Sequence, residues 1–457
     1  MEKDWESIFS SVVGADRVST DPAVRKQHSG DKWFAAQLPD LVITPESAEE
    51  VAAILRVANE ERVPVTARGS GYGYVGGCVP ERGGIALALG RMNRIREIAV
   101  PDGVAVVEPG VITGDLQTEV RKHGLFYPPD PASLKNSSIG GNIATNAGGP
   151  RCLKYGVTRN YILGLEVCLA NGEIACVGGR TLKNKTGFDL VGLFVGSEGM
   201  LGIVTEATLR LLPLPPTRGC LSAGFANMPQ AANAVQRVLL GGFLPAALEI
   251  ADRFTLEAAR EHLSHRLVPK GDAHLLLEVD GQPDSVELEL AQLWKLLASL
   301  GAQSVSSGIG EAACEEFWDL RRGFSESLRA TGLTKLNEDV VVPRGRLVDL
   351  VEFAGALQRR FGFPVACFGH AGDGNIHVNI MVPDFNEPGI VERAEDALDA
   401  LFNQVLDWGG AITGEHGIGL AKKRWWPQAV PAETIALHQV VKKALDPNGI
   451  LNPGKFL

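Results

Sequence analysis

Two short stretches flanked by glycine carry the side chains best suited to chemistry. CFGHAGDGNIHVNIMV at 367–382 contains His370 and His377, and TGEHGIG at 413–419 contains Glu415 and His416. Neutral imidazole and carboxylate are common ligands of zinc and related divalent metals. Two histidines alone are as often structural, but the second stretch adds a carboxylate and a third imidazole. Together the two stretches predict a metal site.

The first stretch also predicts the elements that position its side chains. An apolar run at 364–368 and the alternation of polar and apolar residues at 376–382 indicate a strand, a tight turn and a second strand. His377 and Asn379 then share one face of the second strand. The turn lets His370 approach His377, so a β-hairpin is expected to hold both imidazoles.

The amino-terminal half is rich in glycine and other small residues. A strand-helix-strand pattern over 41–67 leads into RGSGYGYVGGCVP at 68–80, which runs into another strand at 85–89. Because this loop opens no helix, it does not fit a dinucleotide fold, and a flexible hairpin or a nest of backbone amides around a pyrophosphate remain open. The stretch 127–156 has little side-chain volume, which indicates that something flat and rigid packs on it.

Length and composition limit the class of protein. The chain has 457 residues, of which 45% are hydrophobic and 21% charged, and this predicts two or three globular domains. Prolines at 213, 215 and 216 mark a boundary, after which an α+β pattern begins. A net charge of -10 argues against nucleic-acid binding. No apolar run predicts a membrane span. Seven cysteines without a CxxC pair indicate reduced thiols, so electrons are expected on an organic cofactor or a partner.

Five stretches in this order resemble one family of flavoproteins: 68–80, 128–156, 193–215, 369–379 and 414–419, with the ending DPNGILNPGKF. The chain is similar over nearly its whole length to the FAD-linked D-2-hydroxyacid dehydrogenases. These include D-lactate dehydrogenase of the cytochrome type, the glycolate oxidase flavin subunit and D-2-hydroxyglutarate dehydrogenase, all within the vanillyl-alcohol oxidase or p-cresol methylhydroxylase (PCMH-type) flavin fold. The resemblance implies an α+β protein with three parts: a two-subdomain PCMH-type FAD-binding domain at 1–215, an α+β substrate or cap domain at 216–408, and a C-terminal segment at 409–457 that carries the catalytic loop and packs back on the FAD domain.

The resemblance implies that FAD is held noncovalently. Some relatives link the flavin to a histidine, and no histidine lies between Trp33 and His123. Tyr72 and Val75 stand where the family commonly has Thr and Ser, which puts some side-chain contacts to the phosphates in doubt. The implied cofactor-binding residues are Arg68, Gly69, Ser70, Gly71, Tyr72, Gly73, Gly76 and Gly77 at the pyrophosphate, Pro129, Asp130, Ser133, Ser138, Gly140, Gly141, Asn142, Thr145 and Asn146 along the flavin, and Glu198, Gly199 and Ile203.

The resemblance also implies the roles of the residues that would act on substrate. The metal, with zinc expected, falls on His370, His377 and Glu415, and the catalytic base on His416. Asn379 and Arg321 would bind substrate, with Arg321 forming a bidentate pair with its carboxylate. Some relatives carry a lysine at the position of Asn337, and Lys335 is out of register with it. A second substrate carboxylate is therefore less expected.

The implied reaction is oxidation of a D-2-hydroxy acid of the D-lactate, glycolate or D-2-hydroxyglutarate class to the 2-oxo acid. Hydride passes to flavin, and an external acceptor (a quinone, cytochrome, electron-transfer flavoprotein or iron-sulfur subunit) takes the electrons. Two alternatives remain: an FAD-dependent alkyl/acyl transferase, like alkyl-dihydroxyacetone-phosphate synthase, and a non-catalytic subunit that relays electrons. The acidic amino terminus predicts no secretory signal. A cytoplasmic protein is expected, peripheral to the membrane only through a partner, and a homodimer is left open.

Overall fold

The structure is a computed structural model that describes residues 3–263 and 268–457. They divide into two compact units. Unit 1 contains the described residues of 1–148, 157–214 and 415–457, and unit 2 contains those of 149–156 and 215–414.

The helices within the described residues are α1 (Trp5–Val13), α2 (Pro22–Gln27), α3 (Ala48–Glu61), α4 (Thr113–Arg121), α5 (Ile139–Thr145), α6 (Cys152–Tyr155), α7 (Leu190–Phe194), α8 (Met228–Leu240), α9 (Arg253–His262), α10 (Pro283–Ser299), α11 (Glu311–Ala330), α12 (Leu347–Phe361), α13 (Ile390–Asp407), α14 (Trp426–Ala429) and α15 (Ala432–Leu445).

The strands are β1 (Val18–Ser19), β2 (Leu41–Ile43), β3 (Val65–Arg68), β4 (Ile85–Ala88), β5 (Ile95–Ala99), β6 (Val104–Val107), β7 (Leu125–Phe126), β8 (Ile162–Cys168), β9 (Ile174–Gly178), β10 (Ile203–Arg210), β11 (Leu212–Pro213), β12 (Thr217–Phe225), β13 (Ala247–Asp252), β14 (Ala273–Gly281), β15 (Ser304–Ile309), β16 (Thr334–Val341), β17 (Val365–His370) and β18 (Asn375–Val382).

Unit 1 is built on two larger sheets and the short pair β7–β11. The first has the order β1-β2-β4-β3, with β2, β4 and β3 parallel, and the second is an antiparallel sheet in the order β5-β6-β10-β8-β9. The predicted strand-helix-strand unit is β2, α3 and β3. The Ser47 hydroxyl accepts the Glu50 N–H at the start of α3, because the first amides of a helix lack partners within it. Helix α3 buries Val51, Ile54 and Leu55 in the core of the first sheet.

Unit 2 is built on one antiparallel sheet in the order β15-β12-β14-β13-β17-β18-β16. This confirms the α+β pattern predicted for the second half of the chain. The hairpin predicted at 364–382 is β17–β18, with Phe368 opposite His377. Its turn needs Gly374, whose φ is +89° and where a Cβ would lie 2.1 Å from the Val342 carbonyl oxygen.

One face of this sheet packs against α9 and α11. Apolar side chains form the contact, among them Leu256 of α9, Phe324 of α11, and Phe368 and Met381 of the hairpin. Because side chains alternate along a strand, the same face also carries a set of polar residues. They are His274 and Glu278 on β14, Glu249 on β13, His370 on β17, Asn375, His377 and Asn379 on β18, and Lys335, Asn337 and Asp339 on β16.

Candidate metal and flavin sites

The β17–β18 hairpin brings His370 and His377 together. Their ring centroids are 5.6 Å apart and the ring planes cross at 80°. Both side chains are buried, with 5% and 8% of their surface exposed. The approach of His370 to His377 is the one expected from the sequence. Two buried imidazoles on one rigid hairpin form one arm of a site that suits a divalent metal.

A buried glutamate that the sequence did not reveal supports this arm. Glu249 on β13 lies opposite His370 in the register, and its Oε1 is 2.6 Å from His370 Nδ1. Its Oε2 accepts a hydrogen bond of 2.6 Å from Arg321 Nε. Burial alone raises the pKa of Glu249, but the neighbouring His370 and Arg321 lower it to about 2. The carboxylate is therefore charged at neutral pH.

Asp339 anchors the chain at the start of the second predicted stretch. It lies opposite His377 on β16 and is fully buried. Its carboxylate accepts hydrogen bonds from Asn375 Nδ2 (2.8 Å), Thr413 Oγ1 (2.9 Å) and the Gly414 N–H (2.9 Å). Position 414 requires glycine, because a Cβ there would lie 2.5 Å from Asn375 Nδ2. Asp339 thus fixes the backbone immediately before Glu415.

His370, His377 and Glu415 form a group whose ligand atoms all lie within 4.8 Å of one another. Two imidazoles and one carboxylate are the donor set of many catalytic zinc sites, which keep a further position for water or substrate. The three residues predicted as metal ligands are therefore brought together, and they fit a divalent metal.

Two amide oxygens mark a polar space beside the hairpin. Asn379 Nδ2 donates to the Ala366 and His377 carbonyl oxygens, which fixes the side chain and turns Oδ1 away from them. Asn379 Oδ1 and Asn337 Oδ1, on neighbouring positions of β18 and β16, are buried and have no hydrogen-bond partner within the described residues. Buried acceptors without donors are costly, so a bound molecule or water is expected to supply the donors.

Two cations lie against the same aromatic ring. The Arg321 guanidinium is 4.8 Å and the Lys335 ammonium 6.0 Å from the centroid of Phe368. Lys335 Nζ donates to Ser325 Oγ at 2.7 Å, and burial together with Arg329 and Arg321 lowers the pKa of Lys335 to about 7. In the sequence Lys335 is out of register with Asn337. The structure shows that both residues nevertheless lie on the same sheet face, because they are two positions apart on β16.

The predicted pyrophosphate loop of unit 1 borders a cavity of about 280 Å³. Arg68, Ser70, Gly71 and Tyr72 line it, and the glycines of the loop allow close approach of the backbone. Gly71 has a φ of +71°, and a Cβ at Gly69 would lie 2.3 Å from Ser138 Oγ. These features fit a loop that holds a phosphate group through backbone amides.

The segment 26–36 supplies the other wall of this cavity, which sequence reasoning missed. It includes Asp31, Lys32 and Trp33. Asp31 accepts the Gly77 N–H at 3.1 Å, and Lys32 Nζ lies 4.5 Å from the Tyr72 ring centroid. No periodicity or glycine motif marks these residues, because they come from an irregular segment.

The residues predicted along the flavin lie around α5. Ser138 caps this helix by accepting the Gly141 N–H, Asn142 Nδ2 donates to Thr113 Oγ1 at 2.7 Å, and a Cβ at Gly140 would lie 2.6 Å from Pro109. Ile203 belongs to the apolar core of unit 1 and pairs with Cys168 in the sheet. The contacts of this set to flavin stay predictions.

Glu198 holds the loop that follows the predicted catalytic base. It is buried, with a φ of +50°, and accepts the Ile418 and Gly419 N–H groups at 2.8 and 2.9 Å. Burial raises its pKa, and the two amides oppose that rise. His416 stacks on Tyr74 of the glycine loop, with ring centroids 5.3 Å apart. Glu198 was predicted as a flavin residue; its carboxylate positions the loop after His416.

Comparison with known proteins establishes the family. Residues 39–178 match the family model of an FAD binding domain, and residues 214–456 match that of the C-terminal domain of FAD linked oxidases. The chain belongs to the FAD-linked oxidases. Glycolate oxidase subunit GlcD of Bacillus subtilis (strain 168) is 39% identical to this FAD-linked oxidase, over 99% of this chain and 97% of the relative. D-lactate dehydrogenase of Archaeoglobus fulgidus is 37% identical over 91% of each chain.

Solved structures agree on the fold of this FAD-linked oxidase. p-Cresol methylhydroxylase with substrate bound has a TM-score of 0.79 at 19% identity, covering 99% of this chain and 96% of its own. Alkyldihydroxyacetonephosphate synthase has a TM-score of 0.76 at 19% identity, covering 99% and 86%. The PCMH-type fold expected from the sequence is thus confirmed.

The protein is an FAD-linked oxidoreductase of the glycolate oxidase subunit and D-lactate dehydrogenase type. Within residues 3–263 and 268–457, every helix is too short or too polar to cross a bilayer.

Proposed function

We propose that this oxidoreductase converts a D-2-hydroxy acid of the D-lactate, glycolate or D-2-hydroxyglutarate class to its 2-oxo acid. The observation that carries the proposal is the His370, His377 and Glu415 group in a chain that also has an FAD-binding domain. A bound divalent metal, zinc in our proposal, would supply positive charge that lowers the pKa of the substrate hydroxyl. Noncovalent FAD would supply the two-electron acceptor.

The side chains of the protein then have separate roles. His370, His377 and Glu415 would hold the metal. Arg321 would bind the substrate carboxylate, since Glu249 holds its Nε and a planar guanidinium can present further N–H donors as a fork that matches a carboxylate. The Oδ1 of Asn379 would accept a hydrogen bond from the bound acid or a water beside it.

His416 would remove the hydroxyl proton as general base while the hydrogen on the same carbon leaves as hydride. Its stacking on Tyr74 and the anchoring of its loop by Glu198 limit where the imidazole can lie. Position is the first requirement for a base, because proton transfer needs hydrogen-bond distance.

Lys335 supports a substrate with a second acidic group within this class. Lys335 is a half-buried ammonium whose neighbouring charges are Arg329 and Arg321, so an anion there would relieve an unfavourable arrangement. D-2-hydroxyglutarate has such a group, whereas D-lactate and glycolate do not.

We further propose that an external acceptor reoxidises the flavin: a quinone, a cytochrome, an electron-transfer flavoprotein or an iron-sulfur subunit. The Bacillus subtilis relative is named as a subunit, which supports a partner protein.

A substrate panel with a dye acceptor tests the proposal. We expect dye reduction with one or more of D-lactate, glycolate and D-2-hydroxyglutarate, and a loss of at least about 10²-fold after treatment with a chelator. Equal rates for the D and L acids, or rates unaffected by the chelator, would contradict the stereochemistry or the metal, respectively. No turnover of any 2-hydroxy acid would favour the relay subunit.

A further inference from the structure

Glu249 is a buried carboxylate that binds two residues with different proposed roles. Oε1 contacts His370 Nδ1 and Oε2 accepts from Arg321 Nε, each at 2.6 Å. Only 1% of the residue is exposed. One side chain thus joins a metal ligand to the group that would bind the substrate carboxylate.

The sheet and α11 fix this arrangement from both sides. Glu249 and His370 are register partners on the adjacent strands β13 and β17, so their side chains leave the sheet in the same direction. Arg321 comes from α11 above that face, and its guanidinium lies 4.8 Å from the centroid of Phe368, also on β17. Packing holds all three side chains without a ligand.

The contact to His370 decides which ring nitrogen is available for a metal. A neutral imidazole has one N–H, and the carboxylate, which only accepts, requires that N–H at Nδ1. A metal at His370 would then bind through Nε2, and the Nδ1 contact holds the ring in one orientation. Carboxylate partners of this kind raise the basicity of a histidine ligand, and their loss commonly weakens metal binding by about 10- to 100-fold.

Glu249 contacts Arg321 at Nε, and the two Nη groups of Arg321 would then bind the carboxylate of the substrate. Nε is the donor that Glu249 uses, and within the described residues this is the hydrogen bond that Arg321 makes. The two Nη groups are fixed in direction by the same bond. Removing Glu249 would free the guanidinium to rotate and would leave a cation buried without its anion.

We propose that Glu249 is a positioning residue that couples metal binding at His370 to carboxylate binding at Arg321. The inference rests on the proposed metal site and extends it. Glutamine cannot replace Glu249 in both contacts, because its amide has one acceptor and one donor end while His370 and Arg321 both donate. In Glu249→Gln the amide NH₂ therefore faces an N–H donor of either His370 or Arg321. The residue that faces the NH₂ loses the hydrogen bond that orients it.

The chain offers a matched control. Glu278 on β14 is also 1% exposed, faces the same side of the sheet, and is bound by Arg151, Arg218 and Trp318, with no histidine. Glu278→Gln removes a buried charge of the same kind on the neighbouring strand. It reports the general effect of disturbing this face.

The test measures zinc affinity in the full-length protein without substrate. Protein treated with chelator is titrated with Zn²⁺ against a chromophoric chelator, for wild type, Glu249→Gln and Glu278→Gln. We expect the zinc Kd to rise by about 10- to 100-fold in Glu249→Gln and to stay within about twofold in Glu278→Gln. At saturating zinc, we expect the KM for the turned-over acid to rise by about 10-fold in Glu249→Gln and to be unchanged in the control.

Three results would overturn the inference. The first is a zinc Kd in Glu249→Gln equal to that of wild type, and the second is an equal loss of zinc affinity in Glu249→Gln and Glu278→Gln. The third is a weakened zinc affinity in Glu249→Gln with an unchanged KM, which would show that the two sites are not coupled. If Glu249→Gln does not fold, Glu249→Asp is tested in its place, because aspartate keeps two acceptor oxygens on a shorter side chain. A zinc Kd of Glu249→Asp equal to that of wild type would again overturn the proposal. Wild-type protein that binds no zinc would instead contradict the metal site itself.

Discussion

Glu249 and Glu278 show what separates a functional cluster from a structural one on the same sheet face. Both are buried glutamates on neighbouring strands, and each binds at least one arginine. Burial raises the pKa of each, and the adjacent cations lower it further than burial raises it. A buried ion pair therefore does not by itself identify a site.

The difference lies in the partners. Glu278 accepts hydrogen bonds from four side chains of the protein: Arg151 in the segment 149–156, Arg218 and Cys220 of β12, and Trp318 of α11. It cross-links the sheet to α11. Around Glu249, His370 belongs to the proposed metal site, and within the described residues the buried Oδ1 of Asn379 has no hydrogen-bond partner. These features support the proposal that the Glu249 cluster binds a metal and a substrate.

The largest expected effect is the difference between substitutions of two histidines on this sheet face, His377 and His274. We expect His377→Ala to lower turnover by at least about 10²-fold and to remove zinc, because it deletes one of the three proposed metal ligands. His274 is also buried, bonds Ser222 Oγ at 2.9 Å, and burial with Arg321 lowers its pKa to about 3. His274→Ala should leave the zinc content unchanged. Metal analysis and steady-state kinetics measure both, and zinc retained in His377→Ala would contradict the assignment.

The second comparison concerns the two arginines. Arg321→Lys keeps a charge but loses the planar fork, and we expect the KM to rise by about 10- to 100-fold with a smaller change in kcat. Arg218→Lys serves as the control, because Arg218 binds Glu278, Glu311 and Glu315 and is remote from the imidazoles in the register. Its KM should match wild type. A KM increase shared by both variants would indicate a general disturbance of α11.

A substitution in the Glu278 cluster should lower the stability of the protein and leave its activity unchanged. Arg218→Met leaves the buried Glu278 with fewer cations, and breaking such a pair commonly costs about 3–5 kcal/mol. We expect a clear fall in Tm, with unchanged turnover per folded molecule. Thermal unfolding with matched activity assays checks this, and a loss of turnover at constant Tm would show that the Glu278 cluster is part of the site.

The smallest effect is a change in pH dependence at Lys335. Its folded pKa of about 7 lies below the ordinary value of 10.5, so between these pH values the unfolded chain binds a proton that the folded chain does not. The free energy of unfolding should therefore rise with pH across this window. Lys335→Met should flatten that rise, as denaturant unfolding at several pH values would show. A parallel pH profile in wild type and variant would place the ammonium in solvent.

Sequence reasoning predicted what depends on local pattern. The alternation in NIHVNIMV and the glycines around it predicted the hairpin, and the pattern over 41–67 predicted the unit of β2, α3 and β3. Pairing at 411–413 does not follow from local pattern: within the described residues this segment forms a single bridge between Ala411 and Val341. Gly410 and Gly414 allow the backbone of 411–413 to lie against β16. Within the described residues only one residue of the segment pairs with β16.

Residues that act through distant pairing were missed. Glu249 is 121 positions from His370, and ALEIAD reads as an ordinary strand. Asp339 and Glu198 were likewise invisible as loop anchors, because a single carboxylate in a strand or turn does not show which amides it will meet. The position of Lys335 was available from strand alternation alone, since residues two apart share a face. Register between distant strands is set by the whole sheet.

The most direct test of the account is anaerobic reduction of the flavin in zinc-free and zinc-reconstituted protein. We expect a D-2-hydroxy acid from the panel to bleach the flavin absorbance of the reconstituted protein, and the zinc-free protein to be slower by at least about 10²-fold. Equal bleaching rates in the two forms would contradict a metal-assisted site at His370, His377 and Glu415.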